Sequence, residues 1–200
     1  MHGIQRHVQR DIQHDATPPM PSIQLDTLDG CGLAIGGYPR FRYDARGGGA
    51  LGHLSSPGAE GLHDVQFDPA GVVIPELCSR NTRQLGLPLP PFLHIAIVPT
   101  ALAGQLDPAS GQLSLQFQAR FRFRIGSLYA APDLLVDTRL STGAVASRRH
   151  RLAGRPLDAA GEGVLVGVAT VPPCGDPWLD RFLGLPDEAL ALLRCRLQSV

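Results

Sequence analysis

The side chains best suited to chemistry in this sequence are arginines. Arg120, Arg122 and Arg124 alternate with Phe121, Phe123 and Ile125. An extended backbone sets the three guanidinium groups on one face, about 6.6–7 Å apart. Like charges so placed repel unless a neighbouring strand supplies acids, and Asp133 and Asp137 are close in sequence. Arg40 and Arg42 flank Phe41 in the same alternation and would extend the set. From Arg120 to Arg155 eight arginines stand against two aspartates. Such a face is either a solvated sheet surface with cross-strand pairs or a platform for anions: a lipid headgroup, a phosphate or an acidic protein partner.

A second group is apolar where connecting segments are usually polar. Phe92 and Leu93 follow Pro90-Pro91, and Trp178, Phe182 and Leu183 follow Pro177. These five residues form an apolar edge. It either plugs the end of a β-structure or serves as a lid or insertion edge for an apolar ligand or a membrane surface.

Other constellations fall short of a mechanism. Ser55, Ser56, His53, His63 and Asp64 lie close together and would suit a serine hydrolase. Neither serine sits in a G-x-S-x-G elbow, and His63 and Asp64, as strand neighbours, point to opposite faces. Gly47 to Gly52 has the G-x-G-x-x-G spacing, yet His53 to Gly58 with its proline cannot open the helix that binds pyrophosphate. The segment reads as a mobile glycine-rich loop. Cys31, Cys78, Cys174 and Cys195 show no C-x-x-C spacing, which excludes a zinc ribbon or a thioredoxin-type motif. They read as buried free thiols, with Cys31, between two glycines, the flexible and exposed one. His94, in an apolar strand, reads as a buried neutral histidine bonded to backbone. His7, Asp11 and His14 would share one face of a helix and chelate a metal, but Ile4, Val8 and Ile12 are too few to hold such a helix. Residues 1–19 read as a flexible leader, with Met20 as an alternative start. No catalytic residue, metal ligand or cofactor is assigned.

Composition narrows the field further. All 18 basic residues are arginine. The lack of lysine excludes Schiff-base enzymes and the P-loop, and suggests a GC-rich bacterial gene. Eighteen acids bring the net charge to zero, which argues against sequence-specific nucleic-acid binding. With 44% apolar and 18% charged residues the chain is globular in character. Leu93 to Gly104, the longest nearly apolar run, is interrupted by His94, Pro99 and Thr100 and is shorter than the roughly 18–20 residues of a membrane span. No signal peptide is visible, so a cytoplasmic location is expected, with peripheral membrane contact as the variant.

The elements that must carry these residues are strands. Gln112 to Ile125 alternates apolar and polar residues without a break, the pattern of a strand with one buried and one wet face. Shorter alternating runs occur at 22–26, 32–36, 40–45, 62–67, 72–75, 92–99, 101–106, 134–140, 163–171 and 190–197. Asp-led, Gly-closed segments at 68–71, 107–111 and 158–161 read as turns. Leu102 to Asp107 resembles Leu152 to Asp158, as though one hairpin were used twice. Asp176-Pro177 and Gly184 bracket a short helix, and Pro186 opens either a second helix or a closing strand.

The expectation is therefore an all-β domain over residues 20–200: an antiparallel β-sandwich or partly closed β-barrel with one or two short C-terminal helices. Its expected role is a non-enzymatic binding module for an apolar or amphiphilic ligand or an anionic membrane surface. The alternatives are a protein–protein assembly factor using the arginine face, and a serine hydrolase.

Overall fold

The computed structural model describes residues 21–58 and 60–200. The leader, Met20 and the His7, Asp11 and His14 set lie outside the described residues.

Strands β1 (Ser22–Thr27) and β2 (Asp29–Ile35) are two halves of one extended run, bent at Leu28 and both antiparallel to the last strand. Strands β3 (Phe41–Asp44) and β4 (Gly49–Leu54) return alongside, β3 on β2 and β4 on β1. Strand β5 (His63–Phe67) leads through a 3-10 turn at Pro69–Gly71 to a short hairpin, β6 (Thr82–Gln84) and β7 (Leu87–Pro88). The long strands β8 (Leu93–Asp107) and β9 (Gln112–Ile125) follow, with β10 (Tyr129–Ala130) folded back on the end of β9. After β11 (Leu134–Ser141), β12 (Ala144–Ala146) and β13 (Arg151–Ala153) form a separate hairpin. Strand β14 (Glu162–Val171), helix α1 (Pro177–Leu183) and β15 (Asp187–Ser199) complete the chain.

All the ladders are antiparallel. Strands β1, β4, β5, β8, β9, β11, β14 and β15 pair in that order, and β15 pairs back on β1. The architecture is a partly closed barrel. Its seam is between β11 and β14, which share a single ladder pair, Ser141 with Val166. Along β15 the partner changes from β1, at Cys195 to Ser199, to β2, at Ala189 to Leu192. From β2 the sheet continues through β3, β6 and β7. One end of the barrel is thus an eight-strand ring, whereas the other is widened by the inserted β6–β7 hairpin.

The alternation of β9 places Leu113, Leu115, Ala119 and Phe123 inside and the glutamines and arginines outside. This is the reverse of a transmembrane barrel, whose lipid-facing side is apolar. No helix among the described residues is long and apolar enough to cross a membrane.

Several expectations need correction. Gly47 to Gly52 is no mobile loop, because β4 begins at Gly49. A Cβ at Gly49 would strike the Leu25 carbonyl, and one at Gly52 the Phe67 ring, so these glycines let neighbouring strands approach. Residues 92–99 and 101–106 fuse into β8, with a register shift between Pro99 and Ala101, where proline has no N–H to give the ladder. Residues 72–75 supply only an isolated bridge, Val73 to Gly49. Of the two readings after Pro186, the closing strand is the one found, since β15 starts at Asp187. His94 is half-exposed on the outer face, its Nδ1 3.0 Å from Glu76 Oε2.

Cys31 is fully buried rather than exposed. Its Sγ accepts from Arg194 N at 3.3 Å and donates to Leu28 O at 3.3 Å, pinning the bend between β1 and β2 to β15. Burial pushes its thiol up to about 11 and that of Cys195 up to about 12. All four thiols are free, with only Cys174 half-buried.

The internal repeat has a structural counterpart. Gly104 and Gly154 hold the same place in the two similar segments, and a Cβ at either would meet the backbone of the facing strand, at Ser114 and Val164.

Candidate functional site: an apolar cavity in the wide end of the barrel

The inward-facing side chains of β9 record a change in packing along its length. Leu113 and Leu115 are buried, whereas Phe117 and Phe121, on the same face, are only half-buried. The lower residues belong to a core with Ile23, Phe67, Leu165 and Cys195. Higher up the core divides. One cluster forms around Cys31, Tyr43, Leu77 and Ile97, the other around Phe123, Leu134, Val171 and Leu179. Between them is a cavity of about 330 Å3.

The lining is aliphatic and aromatic, with Leu33, Phe41, Ile95, Phe117 and Phe121 among its members, and holds no charged side chain among the described residues. The polar groups in the wall are mostly occupied. Thr27 Oγ1 donates to Ala45 O, Gln84 Nε2 to Pro39 O and the Tyr38 hydroxyl to Phe182 O at 2.6 Å. Burial pushes the Tyr43 phenol well above its ordinary range, so it stays neutral. Thr138 Oγ1 is buried beside Gly167 without a hydrogen-bond partner among the described residues. Eight-stranded barrels are just wide enough to be filled by side chains or to hold one small ligand. Here the lower half does the first, and the upper half has room for the second.

Helix α1 lies across the wide end. Asp176 caps it by accepting from Leu179 N, Pro177 opens it, and Gly184 in the left-handed conformation stops it. Leu179 and Leu183 face inward, and Leu183 with Phe182 reaches the cavity. Trp178 and Phe182 stack at 5.1 Å, Tyr38 lies 5.4 Å from Phe182, and Tyr129 lies 5.1 Å from Trp178. Burial and the nearby Asp176 carboxylate push the Tyr129 phenol up to about 12.

The apolar edge read from sequence is therefore assembled in space. Leu93, Phe182 and Leu183 line the cavity, Trp178 packs beside them, and Phe92 is exposed at the start of β8. The arginines are placed elsewhere. Arg120, Arg122 and Arg124 occupy the outer face of β9, the side away from the cavity. Arg122 lies 3.5 Å from Asp133, whereas Asp137 is taken by Gln116 and Gln118. Arg40 and Arg42 are exposed beside β2, and in strand order β11, β14, β15 and β2 separate β3 from β9. The two arginine sets therefore do not share one strand face.

His63 Nδ1 lies 2.8 Å from the Ser55 carbonyl, not its hydroxyl, and Ser55 Oγ instead donates to Ser56 O and accepts from Asp64 N. The sequence places Phe117 and Phe121 on the apolar face of the Gln112–Ile125 strand, and Ile95 and Leu33 within shorter strands, without singling any of them out. Period-2 alternation shows which side chains point inward, not how much space they leave.

Comparison with known protein families, curated proteins and solved structures gives no match. Fold and site together define the class: a partly closed antiparallel β-barrel with an apolar internal cavity.

Proposed function

We propose that this protein is a non-enzymatic binding module that holds one uncharged apolar ligand, or the apolar part of an amphiphile, in the wide half of its barrel. The observation that carries this reading is a cavity of about 330 Å3 with no charged side chain in its wall. Its size falls at the lower end of the roughly 300–1,000 Å3 typical of small-molecule sites. Burying a charge there would cost several kcal/mol without a partner, so the cavity selects against ionised groups. A polar end of an amphiphile would lie at the rim, beside Tyr38, Gln84 and α1.

The test is direct. Native mass spectrometry of protein purified without detergent should show a non-covalent adduct that is lost on organic denaturation. Titration with the apolar fluorophore phenylnaphthylamine should saturate at one site. Ala189 lines the wall, and Ala189→Leu fills part of the volume, so it should weaken the fluorophore about tenfold or more while raising stability by about 0.5–1 kcal/mol. No adduct, together with fluorophore binding unchanged in Ala189→Leu, would end the reading.

A second reading, protein–protein docking on the outer face of β9, is favoured by one observation. Arg120 has no ion-pair partner among the described residues, and Leu135, opposite it on β11, is exposed. It predicts a complex that dissolves in salt and is lost in Arg120→Gln/Arg124→Gln.

A further inference from the structure

Large apolar side chains are not scattered evenly over this surface. Leu85 is 80% exposed, Leu87 70% and Leu128 94%, and Phe92, Trp178 and Phe182 are about half exposed. These six come from separate parts of the chain: the β6–β7 hairpin, the start of β8, the β9–β10 turn and α1. All lie at the same, wide end of the barrel. Register shows this. Gln84, before Leu85, pairs with Phe41 at the upper end of β3, and Gly126 N, two residues before Leu128, donates to Phe92 O. Trp178 and Phe182 lie on the helix across that end. Monomeric surfaces rarely gather so much apolar area in one place unless something covers it.

Charge is also divided along the barrel. At the wide end Arg40, Arg124 and Arg181 have no acidic partner among the described residues. Of the acids there, Asp187 is shared by Arg148 and Arg149, Asp133 pairs with Arg122 and Glu76 with His94, while Asp176, Asp180 and Glu188 accept from backbone N–H groups and keep their charge. At the narrow end the balance reverses. Among the described residues Asp64 and Asp107 have no arginine partner, and Arg155 and Arg196 are taken by Asp158 and Glu162. An apolar end that carries unpaired arginines, on a molecule whose far end carries unpaired acids, matches an anionic bilayer in both chemistry and orientation.

We infer that the wide end docks on an anionic lipid bilayer. Leu85, Leu87, Leu128 and Phe92 enter the interface, and Trp178 lies at headgroup depth, where amphipathic aromatic rings are favoured. The mouth of the cavity then opens onto lipid. This deepens the proposed function by naming the bilayer as the place where the ligand is exchanged, and it rests on that reading only for that last step.

The chain carries one tryptophan, Trp178, which makes the rim its own reporter. The experiment is flotation of the full chain with phosphatidylcholine vesicles, with and without phosphatidylglycerol, combined with quenching of Trp178 by brominated acyl chains. Protein should float with the anionic vesicles, and Trp178 emission should shift to the blue and be quenched. Leu87→Asp/Leu128→Asp alters side chains that contribute nothing to the core, and it should reduce vesicle binding by more than about tenfold. Arg40→Gln and Arg181→Gln should each cost about fivefold, and only with anionic lipid.

Absence of flotation, or flotation unchanged in Leu87→Asp/Leu128→Asp, overturns the proposal. So does a concentration-dependent dimer that this variant dissolves without any vesicle binding, which would assign the rim to a second copy of the chain. Phenylnaphthylamine titration without vesicles separates this outcome from failure of the cavity reading. Flotation without fluorophore binding leaves the docking surface intact and removes the ligand, and the converse removes only the surface.

Discussion

Leu113 and Leu115 at one end of β9 are sealed from solvent, whereas Phe117 and Phe121, inward-facing on the same strand, border a cavity. The two ends are built from the same long strands and differ in how the ring is completed. At the narrow end β15 returns to β1 and the circumference is eight strands. At the wide end it turns to β2, and the sheet takes in β3, β6 and β7 before the isolated bridge from Leu77 to Ile95 reaches β8. Added circumference means added cross-section, and leucine and phenylalanine cannot span it. The lesson is that one pattern of alternation can build a packed core and a binding cavity within a single barrel.

The comparison can be broken most severely at Gly104. Its pairing with Leu115 leaves no room for a Cβ, which would meet Ser114 backbone. Gly104→Ala should cost about 4 kcal/mol or more in denaturant unfolding, among the largest single-residue effects. Gly184→Ala at the wide end, where nothing lies near the added methyl, should cost only about 1 kcal/mol for its left-handed backbone. Equal losses at the two sites would mean that the narrow end is not the tighter one.

Truncation tests the packing itself. Leu115→Ala leaves a new cavity in a filled core and should cost about 3 kcal/mol. Phe121→Ala removes a larger side chain that is already half free, and should cost less than about 2 kcal/mol. The reverse order, measured in the same denaturant, would place the cavity at the wrong end.

A smaller effect of opposite sign is expected at Thr138. Its buried hydroxyl has no partner, so Thr138→Val exchanges an unsatisfied oxygen for a methyl of similar size. Stability should rise by about 1 kcal/mol. A loss would show that the hydroxyl is bonded after all.

The gentlest perturbation is acid. The tip of the β12–β13 hairpin is tied to the start of β15. Arg149 Nε donates to Asp187 Oδ1 at 2.8 Å, Arg148 Nη2 donates to the same oxygen at 3.0 Å, and Ser147 Oγ and Arg149 N donate to Glu188 Oε2 at 2.8 and 2.9 Å. The Arg149 guanidinium holds Asp187, and the Ser147 hydroxyl holds Glu188, below the usual carboxylate range. Because the folded values are depressed, this support is complete above the ordinary carboxylate range and is lost as pH falls through the folded values. Hydrogen-exchange protection, taken relative to the intrinsic rate at each pH, should fall in acid at residues 147–150 and 187–188 before it falls at Leu115 and Leu165. Simultaneous loss of protection at both ends would make the barrel one cooperative unit.

Much of this fold was legible in the sequence. The fourteen residues of β9 alternate so regularly that only a strand with one apolar face satisfies them, and Asp176-Pro177 with Gly184 marked helix α1 by its caps. The glycines of β4 misled, because a residue that lets two strands approach has the same letter as one that frees a loop. His94 misled for a related reason: its neighbours are apolar, but its partner is Glu76, eighteen residues away.

The candidate site was legible only in part. Trp178, Phe182, Leu183 and Leu93 were recognised as apolar out of place, which is a local property. Their convergence on one end of the barrel, and the cavity behind them, depend on ring closure. The sequence by itself determined the class of element, the face each strand turns inward and the exclusion of lysine chemistry, since these follow from residue type and near-neighbour spacing. Tertiary structure alone decided that four strands lie between the one that carries Arg42 and the one that carries Arg120, and that half of the interior is filled while half encloses a cavity. Interior volume is set by how many strands close the ring at each level, and that number comes from pairings between residues as distant as Ile23 and Ser199.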